Sequence, residues 1–407
     1  MNKKYDVVIV GGGVIGAACA YYLSKCKGLK IALIDSKRSG NASRASAGGL
    51  WAIGESVGLG CGVIFSRKSS SINVNEYDPV AAKTITPHIL PECFFNLALA
   101  SNALYPALHE ELREVYDVDF KFEETGLKFV MYDEEDRHYA EHIASNISYL
   151  SNNLRWLDHN ELRDSEPYIS HEAIGAIEFL CDHQVNPFRL TDAYIEAARQ
   201  NGIDIYMNTN VTNVLRVGQR VMGVVTAEKG EISCNTLINA AGSWAADISE
   251  WATGIRLPIK PIKGQIVLSE KLPRFLHGCV TTSDCYIVQK DNGEILIGST
   301  TEDVGYDTAT SYPEIATLVK GAMRCIPELR HTNVKRCWAG LRPGTPDELP
   351  ILGLLDGMDG YINACGHFRT GILTSAITGV ITQSIVCGEP IPVDITPFLA
   401  TRFNGVN

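Results

Sequence analysis

The stretch Val7-Val8-Ile9-Val10-Gly11-Gly12-Gly13-Val14-Ile15-Gly16 constrains the fold of this chain more than any other. Four apolar β-branched residues predict a strand buried on both faces. A glycine turn follows, and Ala17 to Ser24 reads as a helix. The glycines fall at Gly-x-Gly-x-x-Gly positions. Gly11 permits a tight turn, Gly13 lets a pyrophosphate approach the backbone, and Gly16 lets helix and strand pack closely. The N-terminus of the helix offers N–H groups and a positive dipole end to phosphate. Ile31 to Ile34 reads as the second strand, and Asp35 ends it, 19 residues after Gly16. An acid at that distance suits a ribose hydroxyl. Strand, turn, helix and acid together predict a dinucleotide-binding α/β domain.

A chain of 407 residues has room for two domains, and 45% hydrophobic content supports a real core. The net charge of −11 carries no basic stretch, which argues against nucleic acid as a partner. No apolar run reaches the roughly 18 residues that span a bilayer. Asp6 and the glycines interrupt the N-terminal apolar run, unlike the core of a signal peptide. A cytoplasmic chain is therefore expected, with docking on the inner face of the membrane left open. The 12 cysteines include no Cys-x-x-Cys pair and read as small buried hydrophobes. Cys61, inside Gly58-Leu59-Gly60-Cys61-Gly62, reads as a packed thiol beside a glycine-rich loop.

Ser36 to Leu50 is small, polar and glycine-rich. It suits a loop running along a dinucleotide, with hydroxyls and backbone N–H groups on phosphate. Gly54-Glu55-Ser56-Val57-Gly58 matches a nucleophile elbow by letter, but a glycine-rich run follows Ser56 where a helix is needed. Phe94 to Val115 and Glu134 to Asn146 read as amphipathic helices around a strand at Lys128 to Tyr132. His138 and His142 are four apart, yet no carboxylate or cysteine stands at a matching offset, so an exposed helix face is expected. Pro187 to Asn201 reads as a helix, and Ile203 to Tyr206, Val211 to Leu215 and Val221 to Thr226 as strands. Thr236 to Trp244 is a second buried strand ending in small residues and a glycine. A cofactor bound across a discontinuous domain follows. Gly264 to Leu268, Cys285 to Gln289 and Glu294 to Gly298 predict an antiparallel sheet. Pro313 to Cys325 reads as a helix, and a long helical run ends near Val386.

Six segments carry a family resemblance: the N-terminal fingerprint, "NAAGSWA", "KGQIV", "DCYIV", "WAGLRPGTPDELPILG" and "GHFRTGIL". They run through the chain in order, and in them it resembles the FAD-dependent D-amino-acid oxidase family, in its glycine oxidase branch. The segments "GGLWAIGESVGLGCGVIF", "CDHQVNPFRLTDAY" and "TTSDCYIVQKDNGEILIGSTTED" are more similar to a branch that oxidises glycine to cyanide and carbon dioxide. Subunits of D-hydroxyproline dehydrogenase and opine oxidase are similar too. The resemblance implies two α/β parts. One is a glutathione-reductase-type FAD domain from 1–90, 168–257 and 335–407. The other is a substrate domain with a mixed or antiparallel sheet from 91–167 and 258–334.

For the site, the resemblance implies FAD held without a covalent link. Gly11, Gly13, Val14, Ile15 and Gly16 would serve it, with Asp35 and Ser36 at the second strand. Ser43, Arg44, Ala47, Gly48 and Gly49 would follow along the loop. Val211, Ala241, Gly242 and Trp244 come from the middle of the chain, and Arg342, His367, Phe368, Arg369, Gly371, Ile372 and Leu373 from its end. Tyr286 and Arg342 are similar to a pair that binds a substrate carboxylate, and Arg369 to a residue beside flavin and substrate. They stand 56 and 27 residues apart in turn. Gly49 and Thr301 stand where bulkier side chains are expected near the pocket. Both arginines sit in stretches rich in glycine and proline, which reads as turns.

The chemistry implied is transfer of a hydride from the Cα of glycine to the flavin N5 atom. An arginine fork that fixes the carboxylate would aim the C–H bond at the ring. Cyanide formation takes two successive two-electron oxidations, so companion redox subunits carrying flavin or iron–sulfur centres are expected. The rival reading is a glycine oxidase that acts alone.

Overall fold

The computed structural model describes residues 4–59 and 88–403. Cys61 and part of the glycine-rich stretch after Gly58 lie outside them. The fold rests on two eight-stranded sheets. In the first, Lys4–Val10 lies parallel between Ile31–Asp35 and Gly230–Asn239. Asp204–Met207 and Tyr361–Cys365 continue the parallel order outward on the two sides. Ile351–Leu354 adds an antiparallel edge, and Val211–Val217 and Arg220–Thr226 form an antiparallel ribbon leading into Gly230–Asn239. Central parallel strands are covered on both faces, which is why they read as continuous apolar runs.

One face is covered by Val14–Leu23, packed between Pro187–Gln200 and the C-terminal helix Gly371–Cys387. Every residue of Val14–Leu23 is buried. Ala17, Ala18 and Ala20 keep that helix thin enough to sit between strand and neighbours. Ala245–Thr253 covers the other face with the ribbon.

The second sheet runs Val334–Gly344, Lys260–Lys271, Glu294–Gly298, Tyr286–Gln289, Cys279–Thr281, Leu127–Met131, Gly175–Phe179 and Leu154–Asp158. Its neighbours are antiparallel except Cys279–Thr281 beside Leu127–Met131. Gly175–Phe179 and Val334–Gly344 pair here, although most of both fall in segments read as cofactor domain. Arg342 therefore lies inside a strand, opposite Ile262, and not in a turn. Pro343 faces Pro261 across the same ladder near its end, where a missing N–H costs little.

The expected helix over Phe94 to Val115 is two helices, Glu92–Asn102 and Tyr105–Tyr116. Pro106 opens the second, because a proline fits a first turn and breaks an interior one. Ser56 lies in the short helix Ala52–Ser56, fully buried, and its hydroxyl donates to the Ala52 carbonyl at 2.6 Å. It is not a nucleophile elbow. His138 and His142 are both exposed on Glu134–Asn146. Among the described residues no cluster could hold a metal ion, and no helix is long and apolar enough to cross a membrane.

Candidate active site

The C-terminal ends of the parallel strands open into a cleft of about 1470 Å³, solvent at its mouth included. Its first wall is the glycine turn. Gly11 has φ +109°, and a Cβ there would lie 2.2 Å from the Ala240 carbonyl oxygen. A Cβ on Gly16 would lie 1.8 Å from the Gly11 oxygen. Only glycine allows either approach. Gly13 precedes Val14–Leu23 in an extended conformation and brings no capping side chain of its own. The Val14 N–H donates to Ser43 Oγ at 2.9 Å, so the loop after Asp35 is drawn across the helix end. Asp35 accepts from the Gly12 N–H and the Lys37 N–H, both at 2.7 Å, which fixes the turn against the second strand.

Bare backbone N–H groups, a helix dipole and small residues suit a pyrophosphate. From there the cleft runs past Val211, Ala241, Gly242 and Trp244 on one side, and His367, Phe368, Gly371 and Ile372 on the other. The cradle thus fits a flavin dinucleotide.

Most of the residues expected at the site line this one cleft, Ser36, Ala47 and Gly49 among them. Five do not. Gly16 lies between strand and helix, and its role is their close packing. A Cβ on Gly48 would lie 2.1 Å from the Val185 oxygen, so Gly48 serves a backbone contact. Leu373 is buried in its helix, and its carbonyl accepts from Ser101 Oγ at 2.6 Å. The Arg44 guanidinium turns outward to Asp192 at 3.2 Å and lies over Phe188. Thr301 is nearly buried but off the wall. The chain just before it, Ser299 and Thr300, is what reaches Arg342.

At the inner end, Arg342 Nη1 donates to the Thr300 carbonyl at 3.0 Å and Nη2 to Ser299 Oγ at 2.5 Å. Its guanidinium lies against Gly264, where a Cβ would fall 2.4 Å or less from all three outer atoms. The glycine of "KGQIV" is thus the floor on which the fork rests flat. The Tyr286 hydroxyl packs on Gly298, where a Cβ would come within 2.4 Å.

Arg369 is engaged differently. Its Nε donates to Glu55 Oε2 and its Nη1 to Glu348 Oε2, both at 2.6 Å, and its side chain is 5% exposed. Two carboxylates meet this guanidinium, and the Arg342 guanidinium meets the Thr300 carbonyl and the Ser299 hydroxyl. Burial pushes the Glu55 carboxyl up, and the Arg369 charge opposes that shift. Asp182, fully buried, accepts from the Ile53 and Gly54 N–H groups and fixes the short helix that carries Glu55. Burial raises its pKa to about 7.

Trp51 and Glu55 are wall residues that the sequence did not announce. Their signal was present but unused: both lie in "GGLWAIGES", two and six residues past the expected Gly49. The bulk missing at Gly49 is supplied by the Trp51 ring, two positions on.

His367 lines the cleft floor and is buried, with Nε2 3.0 Å from Thr378 Oγ1. Burial lowers its pKa from 6.5 to about 3. A lowered folded pKa gives stability that is fully present above pH 6.5 and is lost as pH falls toward 3. Between pH 7 and pH 5 the wild-type chain is expected to lose about 2 kcal/mol more unfolding free energy than His367→Gln. Denaturant melts of both proteins at the two pH values check this. Parallel losses would mean that the imidazole titrates in the folded chain as it does in the unfolded one.

A two-sheet fold with a glycine cradle at one end of a cleft and an arginine fork at the other defines an FAD-dependent oxidoreductase. The family model described as "FAD dependent oxidoreductase" matches residues 6–384, and the chain belongs to that family. It is 68% identical to hydrogen cyanide synthase subunit HcnC of Pseudomonas protegens over 405 residues, 99% of this chain and 97% of the relative. It is 31% identical to glycine oxidase of Geobacillus kaustophilus over 412 residues, covering 100% of this chain and 99% of the relative. The crystal structure of a glycine oxidase from that organism superposes with a TM-score of 0.85 at 29% identity, covering 98% and 99% of the two chains.

Proposed function

We propose that this chain is the glycine-oxidising subunit of a hydrogen cyanide synthase. The observation that carries the reading is 68% identity to a HcnC subunit along nearly the whole of both chains. The cleft supports it with a carboxylate clamp at the end away from the cradle.

When bound, FAD supplies a two-electron acceptor at its N5 atom. The chain's own residues supply orientation. The Arg342 fork takes the substrate carboxylate in its plane, which Gly264, Ser299 and Thr300 fix beforehand. The Tyr286 hydroxyl adds a hydrogen bond from Tyr286–Gln289, separated by two strands from Val334–Gly344 in the same sheet. With the carboxylate pinned, a Cα hydrogen can be aimed along one direction. No residue has to take a proton from carbon if the amine enters neutral. The Arg369 ion pairs with Glu55 and Glu348 tie the wall together and limit water. That matters because water reaching the imine would convert it to glyoxylate. Glycine loses two electrons and two protons to give iminoacetate. A second loss of two electrons and one proton from iminoacetate, with carbon dioxide leaving, gives hydrogen cyanide. The electrons must depart between the steps, so companion redox subunits receive them. The first sheet, with its covering helices, is the cofactor part in this reading, and the second sheet is the substrate part.

Purified chain, with and without its companion subunits or an artificial electron acceptor, should be given glycine. Cyanide, glyoxylate and peroxide are then assayed separately. Cyanide is expected only where an acceptor is present. The full-length likeness to glycine oxidase at a TM-score of 0.85 favours a second reading, an oxidase acting alone. Glyoxylate and peroxide under every condition would establish that one. Reduction by D-hydroxyproline or an opine, with none by glycine, would overturn both. Heat denaturation should leave yellow supernatant; a yellow pellet under a colourless supernatant would show covalent flavin.

A further inference from the structure

The cleft has a wall whose shape limits what can enter. Trp51 is 2% exposed and lines the cleft beside Tyr286, with ring centroids 5.5 Å apart and planes at 70°. Its six-membered ring lies over the Cα of Gly49, so close that a Cβ there would fall 2.5 Å from two ring atoms. The backbone after it is pinned: Ile53 and Gly54 donate to Asp182 at 2.9 and 2.7 Å, and the Glu55 N–H donates to the Trp51 carbonyl at 2.9 Å. Behind it stand Leu127, Phe129 and Cys279 in one buried cluster. An indole packed against Gly49 and Tyr286 in a buried cluster, and tethered at its backbone, resists swinging aside for a larger substrate.

We propose that Trp51 is the specificity wall of this site: it fills the space that a substituent on the substrate Cα would need and so restricts entry to an unbranched α-carbon. The inference rests on the reading of the cleft as an amino-acid site clamped by Arg342. Tyr286 belongs to the proposed clamp and touches the indole, so the wall begins one side chain away from the bound carboxylate. The pair Gly49 and Trp51 works as a unit. Glycine removes bulk at one position so that the ring can occupy that volume rigidly from the other. A methyl group that must push against packed aromatic surface forces side chains off their preferred geometry and is penalised accordingly.

The test uses the FAD-loaded chain and three variants, Trp51→Phe, Trp51→Leu and Trp51→Ala. Flavin content and melting temperature identify the folded ones, and the two milder variants keep the test alive if alanine collapses the wall. Two readouts follow. The first is binding of acetate against isobutyrate, read from the change in the visible flavin spectrum without turnover. Wild type is expected to favour acetate by more than about 100-fold, and the smaller side chains to cut that preference to under about 10-fold. The second is anaerobic flavin reduction by glycine against each enantiomer of alanine, where the same narrowing is expected for one enantiomer. An unchanged acetate preference in a folded variant would overturn the proposal, as would wild type that binds isobutyrate as well as acetate. The first readout does not depend on glycine being the substrate. A preference that narrows in the variants, in a protein that glycine fails to reduce, would leave the wall standing and sink the functional reading alone.

Discussion

Arg342→Lys is expected to lower the efficiency of flavin reduction by substrate about 10- to 100-fold, the loss of one charged hydrogen bond worth about 1.5–3 kcal/mol. Charge is kept in this variant, so long-range attraction survives. What goes is the planar fork. An ammonium cannot meet the Thr300 carbonyl and Ser299 Oγ in one plane and still present two parallel donors to a carboxylate. FAD content should stay at the wild-type level. The structure adds a control that leaves Arg342 itself intact. Gly264→Ala puts a methyl group 2.2–2.4 Å from the guanidinium atoms and lifts the fork from its floor, so it should show the same phenotype. Stopped-flow reduction across glycine concentrations measures both. Unchanged reduction in Arg342→Lys would assign the carboxylate to a different residue, although Arg369 already meets two glutamates.

Gly16→Ala should do more damage. Its methyl group would stand 1.8 Å from the Gly11 oxygen, a separation no rotamer relieves, because both atoms belong to the backbone frame. Either the helix Val14–Leu23 moves off the first strand or the turn opens. Overpacking of a tight core costs about 1–3 kcal/mol and here falls on the cofactor cradle as well. The variant is expected to purify without stoichiometric FAD and to melt several degrees lower. Full flavin occupancy at the wild-type melting temperature would show that the turn accommodates a side chain after all.

The two variants also mark what a sequence of this kind reveals. The cradle is local. Val7 to Gly16 and Asp35 are close in the chain, and steric rules on glycine decide the geometry, so strand, turn and helix could be read directly. The central strands read from Val7, Ile31 and Thr236 were legible because burial on both faces leaves uninterrupted apolar runs, whereas the parallel Tyr361–Cys365 was not read. Leu154–Asp158 was not read either, since as an edge strand it is mostly exposed and its Leu154, Trp156 and Leu157 form neither an unbroken apolar run nor a clean alternation. Arg342 looked like a turn residue because glycine and proline surround it. Only the ladder to Lys260–Lys271 reveals the strand, in which Gly344 makes room for Ile262 across the sheet and Gly340 for Ala45 of the cofactor loop. The resemblance to the amino-acid oxidases proved sound for family, fold and cofactor. The division between Arg342 and Arg369 was beyond sequence, because Glu55 and Glu348 come to Arg369 from positions 314 residues before it and 21 before it. Trp51 escaped for a similar reason: a missing side chain at one position was filled from another.

The cleft is assembled from residues far apart in the sequence. Gly11 and Gly13 line it, and so do His367, Phe368 and Gly371, with His367 standing 354 residues after Gly13. A growing polypeptide therefore exposes a nucleotide-binding turn long before it owns an enclosure. A product truncated before residue 366 would carry the fingerprint yet lack the residues that complete the cleft.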